Sequence, residues 1–283
     1  MEIERIAKER DKLLQKQNDL LRKRDRLLDE QKELKAKAVE NLLKAGKIFI
    51  DKEDWPNAMD AYNKVLEIDH KNSEAHGKRA FVLMSIDQFG IARLELDLAL
   101  RLDPKNADAY LTRSGWYVNF DRYNEGLADA KKAVALDPKN AMAHYALGEI
   151  YGGLKDFKNA LKQLDIAIKL NPNDPDFFEA EAIVYFATGK MEKAIERMDR
   201  AIELDPTNAD FYDTRALIYR KLGNEEKAQA DFRKTKELVD QWKKQEQLKK
   251  KQKDEKEKQK KQKPKFKTPP GKLLPTDDSL YGA

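Results

Sequence analysis

Small and large apolar residues alternate along the middle of the chain at helical spacing. In one kind of segment a small residue is followed three positions later by a large one: Gly46 and Phe49, Ala80 and Leu83, Ser114 and Tyr117, Gly148 and Tyr151, Ala182 and Tyr185, Ala216 and Tyr219. In the segment that follows each of these stands another small residue, Ala58, Ala92, Gly126, Ala160, Ala194 or Ala228. A bulky side chain usually comes four positions on, as in Tyr62, Leu96, Leu164, Met198 and Phe232. Spacings of three and four put each set on one face of a helix. The pattern predicts paired helices that approach closely where the small residues lie.

The joints between pairs return every 34 residues: LDPKNADAY from Leu102, LDPKNAMAH from Leu136, LNPNDPDFF from Leu170 and LDPTNADFY from Leu204, with a degenerate copy, IDHKNSEAH, from Ile68. Pro104, Pro138, Pro172 and Pro206 keep that period; His70 fills the slot before them and Asp240 the slot after. Proline cannot continue a helix, and an Asn or Asp two residues later caps the next one. Asn72, Asn106, Asn140, Asp174 and Asn208 are the expected caps, and Pro175 follows Asp174 at a first helical position that has no use for an N–H. Six units result: 39–72, 73–106, 107–140, 141–174, 175–208 and 209–242.

A 34-residue helix-turn-helix with small residues at its eighth and twentieth positions and proline at its thirty-second resembles the tetratricopeptide repeat (TPR). The resemblance covers 39–242 without an insertion. It implies an all-α solenoid, because a lone unit cannot cover its apolar side and stacked neighbours curve around a long concave face.

Before the repeats, residues 1–38 contain neither Gly nor Pro, so the first repeat helix is expected to run backward into one long helix. Its apolar residues recur by sevens: Ile6, Leu13, Leu20, Leu27 and Leu34, with Leu14, Leu21 and Leu28 beside them. A parallel coiled coil would want a second apolar column where Arg10, Gln17, Arg24 and Gln31 stand. Homodimerisation, packing on another partner or on the chain's own repeats, and a solvated arm all stay open, with Leu13, Leu20 and Leu27 as the candidate docking stripe.

Charge changes the picture only at the other end. From Lys243 to Lys267 there are 13 Lys against four acids, whereas residues 1–242 carry a net charge of −3 in a chain of net +5. Residues 243–263 read as a Lys- and Gln-rich helical extension, and 264–283, with Pro264, Pro269, Pro270 and Pro275, as an extended tail resembling a peptide ligand. Such a stretch fits a solvated helix, nucleic acid, an anionic membrane or an acidic protein surface; scarce Arg and few aromatics weaken the nucleic-acid reading. No apolar run suggests a membrane span, the N-terminus lacks a secretory core, and the cytoplasm is the expected compartment.

Candidate chemistry is thin. Cysteine is absent and only three histidines occur, so neither thiol chemistry nor a metal site is expected; His76 and His144 read as interior substitutes for aromatics. Trp55, Phe89, Tyr123, Phe157 and Met191 read as packed turns. No phosphate loop or serine motif emerges; no cofactor and no catalysis are expected.

Carried over from the family, the concave face would be lined by Phe81 and Met84, by Asp108, Leu111 and Val118, by Tyr145 and Glu149, by Asp176, Glu179, Ile183 and Phe186, and by Asp210, Asp213 and Leu217. Acids among apolar side chains suit a basic, partly apolar peptide or helix. Asp108, Asp176 and Asp210 also sit in first turns, where an acid favours the helix dipole regardless. The heat-shock carboxylate clamp of some family members is not matched, since Leu43, Lys47, Lys78, Asp108 and Thr112 stand at its positions and Asp108 would repel a carboxylate. The expected function is a non-catalytic adaptor or structural subunit, with an RNA- or membrane-associated factor acting through its tail as the alternative.

Overall fold

The computed structural model of the chain describes residues 1–262, with side chains through Lys251 and at Glu255. The expected extended segment 264–283 lies outside the described residues. Those described form twelve helices and no strand: α1 (Glu2–Asp51), α2 (Trp55–Ile68), α3 (Ser73–Ser85), α4 (Phe89–Leu102), α5 (Ala107–Val118), α6 (Tyr123–Leu136), α7 (Ala141–Gly153), α8 (Phe157–Leu170), α9 (Pro175–Ala187), α10 (Met191–Leu204), α11 (Ala209–Lys221) and α12 (Glu225–Gln262). They fall into two compact units, the first Met1–Pro206 with α1 to α10, the second beginning at Thr207 with α11 and α12.

Each joint between pairs works as a stop and a start. Asn72, Asn106 and Asn140 accept from the N–H of Ala75, Ala109 and Ala143, while Asp174 and Asn208 accept from Asp176 and Asp210. Asp69, Asp103 and Asp137, at the ends of the preceding helices, turn the chain by accepting from the N–H two residues on.

Inside each pair the turn is built differently. Glu53, Asp87, Asp121, Lys155, Gly189 and Gly223, one per unit and 34 apart, all have positive φ, between 54° and 77°. The N–H of the next residue then reaches back to the carbonyl five residues earlier, from Asp54 to Phe49 and so on to Asn224 and Tyr219. This left-handed helix end satisfies carbonyls that a cut helix would orphan.

Packing follows the small residues. A methyl group on Gly46 would lie 2.5 Å from the Tyr62 ring and one on Gly148 would lie 2.8 Å from Leu164, so glycine lets α1 meet α2 and α7 meet α8 at close range. Ala58, Ala92, Ala160 and Ala194 are fully buried, with Tyr62, Leu96, Leu164 and Met198 beside them.

A ladder of ion pairs links the first helix of a unit to its second. Arg79 bonds Glu95 at 2.6 and 3.2 Å, Arg113 bonds Asp129 at 2.6 and 2.8 Å, and Arg215 bonds Asp231 at 2.9 and 2.8 Å, each pair 16 residues apart. The fifth unit reverses the signs, with Glu181 and Arg197 at 2.8 Å. The fourth replaces the pair by Leu147 and Gln163, and His144 Nδ1 bonds the Gln163 side chain at 2.8 Å. His76 spans to Glu95 at 2.7 Å in the same way, so both histidines tie helices together in the interior.

Candidate functional site

Within Met1–Pro206, α3 packs on α5, α5 on α7 and α7 on α9, while α2, α4, α6 and α8 each lie between the first helix of their own repeat and that of the next. The first helices α3, α5, α7 and α9 therefore form one continuous wall. Most of the candidate binding residues lie on it.

At the near end, Phe81 is 39% exposed on α3 with its ring centroid 6.4 Å from that of Trp55. Met84 is half-buried against the cluster around Ala80, Leu83 and Leu96, so much of it serves packing. Asp108, on α5, receives the Lys78 ammonium of α3 at 2.6 Å. The acid is thus engaged by its neighbour along the wall, a pairing 30 residues apart that no helical spacing reveals. Leu111 and Val118 are half-buried.

The densest group lies where α7 meets α9. Tyr145 stacks on the buried Phe177 with centroids 5.2 Å apart and planes 27° from parallel. Its hydroxyl donates to Glu149 one turn on, and burial together with that carboxylate pushes the phenol pKa far up. Glu149 is open along one side, yet the protein walls around it thin its water; this desolvation, helped by Asp176 and Glu179, raises its carboxyl above the ordinary 4.5 while the Tyr145 bond pulls it down. Asp176 is raised from 3.8 for the same reason, with Asp174 and Asp205 adding to the effect.

Four candidates taken from α7 and α9, Tyr145, Glu149, Asp176 and Glu179, therefore form one electrostatically coupled group. Asp174, the cap of α9, and Asp205, at the end of α10, extend it from the joints. Beside it Ile183 is 50% exposed and Phe186 half-buried, so apolar surface borders the acids. Asp210, Asp213 and Leu217 lie on α11 in the second unit, with Asp210 and Leu217 exposed and Asp213 half-buried.

Elsewhere, Leu13, Leu20 and Leu27 are 63%, 59% and 55% exposed on α1. On α12, Trp242 and Leu248 are exposed among lysines. Among the described residues no group of three or more His, Asp or Glu could hold a metal ion, and no helix is long and apolar enough to cross a membrane.

Comparison with known proteins agrees with the repeat geometry. Models described as "Tetratricopeptide repeat" match residues 117–175 and 209–238, and one described as "TPR repeat" matches 182–223. No curated protein sequence matches the chain. Among solved structures, PilF of Pseudomonas aeruginosa is similar at a TM-score of 0.58 and 20% identity over 70% of this chain and 90% of that one. A thermophilic TPR protein of Thermus thermophilus gives 0.57 and 20% over 64% and 98%, and MamA gives 0.50 and 27% over 59% and 96%.

Proposed function

Because this chain is a tetratricopeptide-repeat protein, we propose that it is a non-catalytic interaction scaffold that holds a basic, partly apolar peptide or helix against the first-helix wall of α7 and α9. The single observation that carries this reading is the grouping of Tyr145, Glu149, Asp176 and Glu179 on α7 and α9 beside the exposed Ile183, where desolvation first and neighbouring acids second raise the Glu149 and Asp176 carboxyls. Acids held above their ordinary pKa are under electrostatic strain, and a Lys or Arg brought alongside relieves it. An aliphatic or aromatic anchor on the partner would add affinity on Ile183 and Phe186, while the charges guide approach.

Panning a displayed peptide library on the full-length chain tests this. Enrichment of peptides that combine Lys or Arg with a bulky apolar residue is expected, together with at least tenfold weaker binding by the Glu149→Lys, Asp176→Lys variant. Peptides without basic residues, or binding indifferent to that variant, would refute it.

One observation favours a second reading. The excess positive charge is confined to the end of the chain, and α12 carries part of it as a continuous helix to Gln262. If n of its lysines neutralised phosphates of single-stranded RNA, log affinity would fall with log salt at a slope of about −0.7n. Deleting residues 243–267 would then abolish binding; salt-independent binding would discard the reading.

A further inference from the structure

The long α1 carries an apolar stripe that the described residues leave uncovered. Up to Lys37 every residue of this helix except Ala7 is exposed. Ile6, Leu13, Leu14, Leu20, Leu21, Leu27, Leu28 and Leu34 are each 40–66% exposed. Together they offer on the order of 500 Å² of apolar surface, against the few hundred that a lone soluble protein tolerates. That area approaches the apolar share of a standard interface of about 800 Å² per partner.

The arrangement within the stripe is specific. With 3.5 residues per turn, the two leucine columns flank a central column made of Ile3, Arg10, Gln17, Arg24, Gln31 and Ala38. Leu-Leu rungs at 13–14, 20–21 and 27–28 thus alternate with single polar residues, and those residues alternate between Arg and Gln. The structure gives Arg10 and Arg24 the same posture, each bonded to the following aspartate, at 2.9 Å to Asp11 and 2.7 Å to Asp25.

We propose that α1 pairs with α1 of a second copy of this chain, antiparallel, with the Leu20–Leu21 rung at the centre. Reversing the helix about that rung lays 13–14 on 27–28 of the partner and 20–21 on itself. The same operation sets Arg10 against Gln31, Arg24 against Gln17 and Ile3 against Ala38. Every guanidinium then meets an amide carbonyl that can accept from it, and no two cations face each other. A parallel pair in register would oppose Arg10 to Arg10 and Arg24 to Arg24 inside an apolar seam, which is costly. Sliding a parallel pair by one heptad would separate the arginines but break the two-fold symmetry that closes a dimer. This inference stands apart from the α7–α9 groove and would survive its failure.

The absence of cysteine makes the test clean. Full-length Arg10→Cys and Gln31→Cys chains, one carrying a tag to distinguish it by size, are oxidised or bridged with a short bis-maleimide, separately and mixed. The antiparallel pair predicts covalent dimers in the mixture alone, since positions 10 and 31 meet across the seam. Light scattering at micromolar concentration should give twice the 32.8 kDa chain mass for the wild type. The Leu13→Ser, Leu20→Ser, Leu27→Ser variant should fall to the single chain mass with the repeats' unfolding midpoint unchanged, because these side chains touch nothing in them. Covalent dimers of either single variant alone would establish a parallel pair and overturn the proposal. So would a wild-type chain of single mass, or a dimer that none of the three samples traps.

Discussion

Glu181 and Arg197 meet at 2.8 Å with their charges in the opposite order to Arg113 and Asp129, which occupy the same two places two units earlier. The acid is the deeply buried member in both cases, Glu181 being 5% exposed and Asp129 6%. One architecture therefore accepts either polarity, provided that the pair is complete. In the fifth unit the N–H of Arg197 does not align into a hydrogen bond, and burial raises the Glu181 carboxyl in spite of the nearby guanidinium.

Changing Glu181 to Arg alone should destabilise the protein by about 3 kcal/mol or more, because it buries like charges without a partner. The Glu181→Arg, Arg197→Glu double variant should recover most of that loss by adopting the polarity of the third unit. Urea unfolding of the four species in a double-mutant cycle measures the coupling; additive losses would show that the pair does not act as one.

Lys155 turns the chain with φ of 60°, a conformation that costs a residue with a Cβ about 1 kcal/mol. Replacing it by Gly should raise stability by about 0.5–1 kcal/mol, since Gly189 and Gly223 fill the same place one and two units later without strain. Replacing Gly189 by Ala should lower stability by a similar amount. Thermal unfolding of both variants gives the signs.

Two glycines should respond in opposite directions to one methyl group. On Gly46 it would lie 2.5 Å from the buried Tyr62 ring, so Gly46→Ala should cost about 1–3 kcal/mol through overpacking. Around Gly115, inside α5, nothing lies within 4 Å of the added methyl, and Gly115→Ala should stabilise by about 0.5–1 kcal/mol through helix propensity alone. Unfolding midpoints of the two variants decide the matter.

The α7–α9 acids should make binding and stability depend on pH. Glu149 and Asp176 hold their protons above the ordinary 4.5 and 3.8, so in that interval the native chain binds more protons than the unfolded one. Their contribution to stability is therefore lost as pH rises through the folded pKa and regained as it falls. Glu149→Gln should raise stability at pH 7 and flatten the profile in mild acid. A cationic peptide selected by the wild type should release protons on binding just above that interval, measurable by calorimetry in buffers of different ionisation enthalpy. Proton uptake would reverse the sign and dismiss the electrostatic account.

How much of this could be read in the sequence depended on whether the cause was local. Asn72, Asn106 and Asn140 were legible as caps because a side chain bonding its own next turn needs no tertiary context. The left-handed turn residue was hidden, since only Gly189 and Gly223 advertise it while Glu53, Asp87, Asp121 and Lys155 adopt it under the pull of the packed pair. The ion-pair ladder was hidden too, because its 16-residue spacing joins different helices and its polarity reverses at Glu181. On the wall, Glu149 and Glu179 stood out by their place in the repeat, whereas Asp174 and Asp205 looked fully explained by the joints. The engagement of Asp108 with Lys78 emerged only when α3 and α5 were side by side.

A partner lying along the first helices rather than on the second ones would leave a direct chemical trace. A photoreactive benzoylphenylalanine placed at Ile183, 50% exposed on α9, and separately at Leu94, 68% exposed on α4, tests it directly against a selected basic peptide. A covalent adduct is expected from position 183 and none from position 94. Adducts from position 94 with none from 183 would place the partner on the opposite side and contradict that expectation.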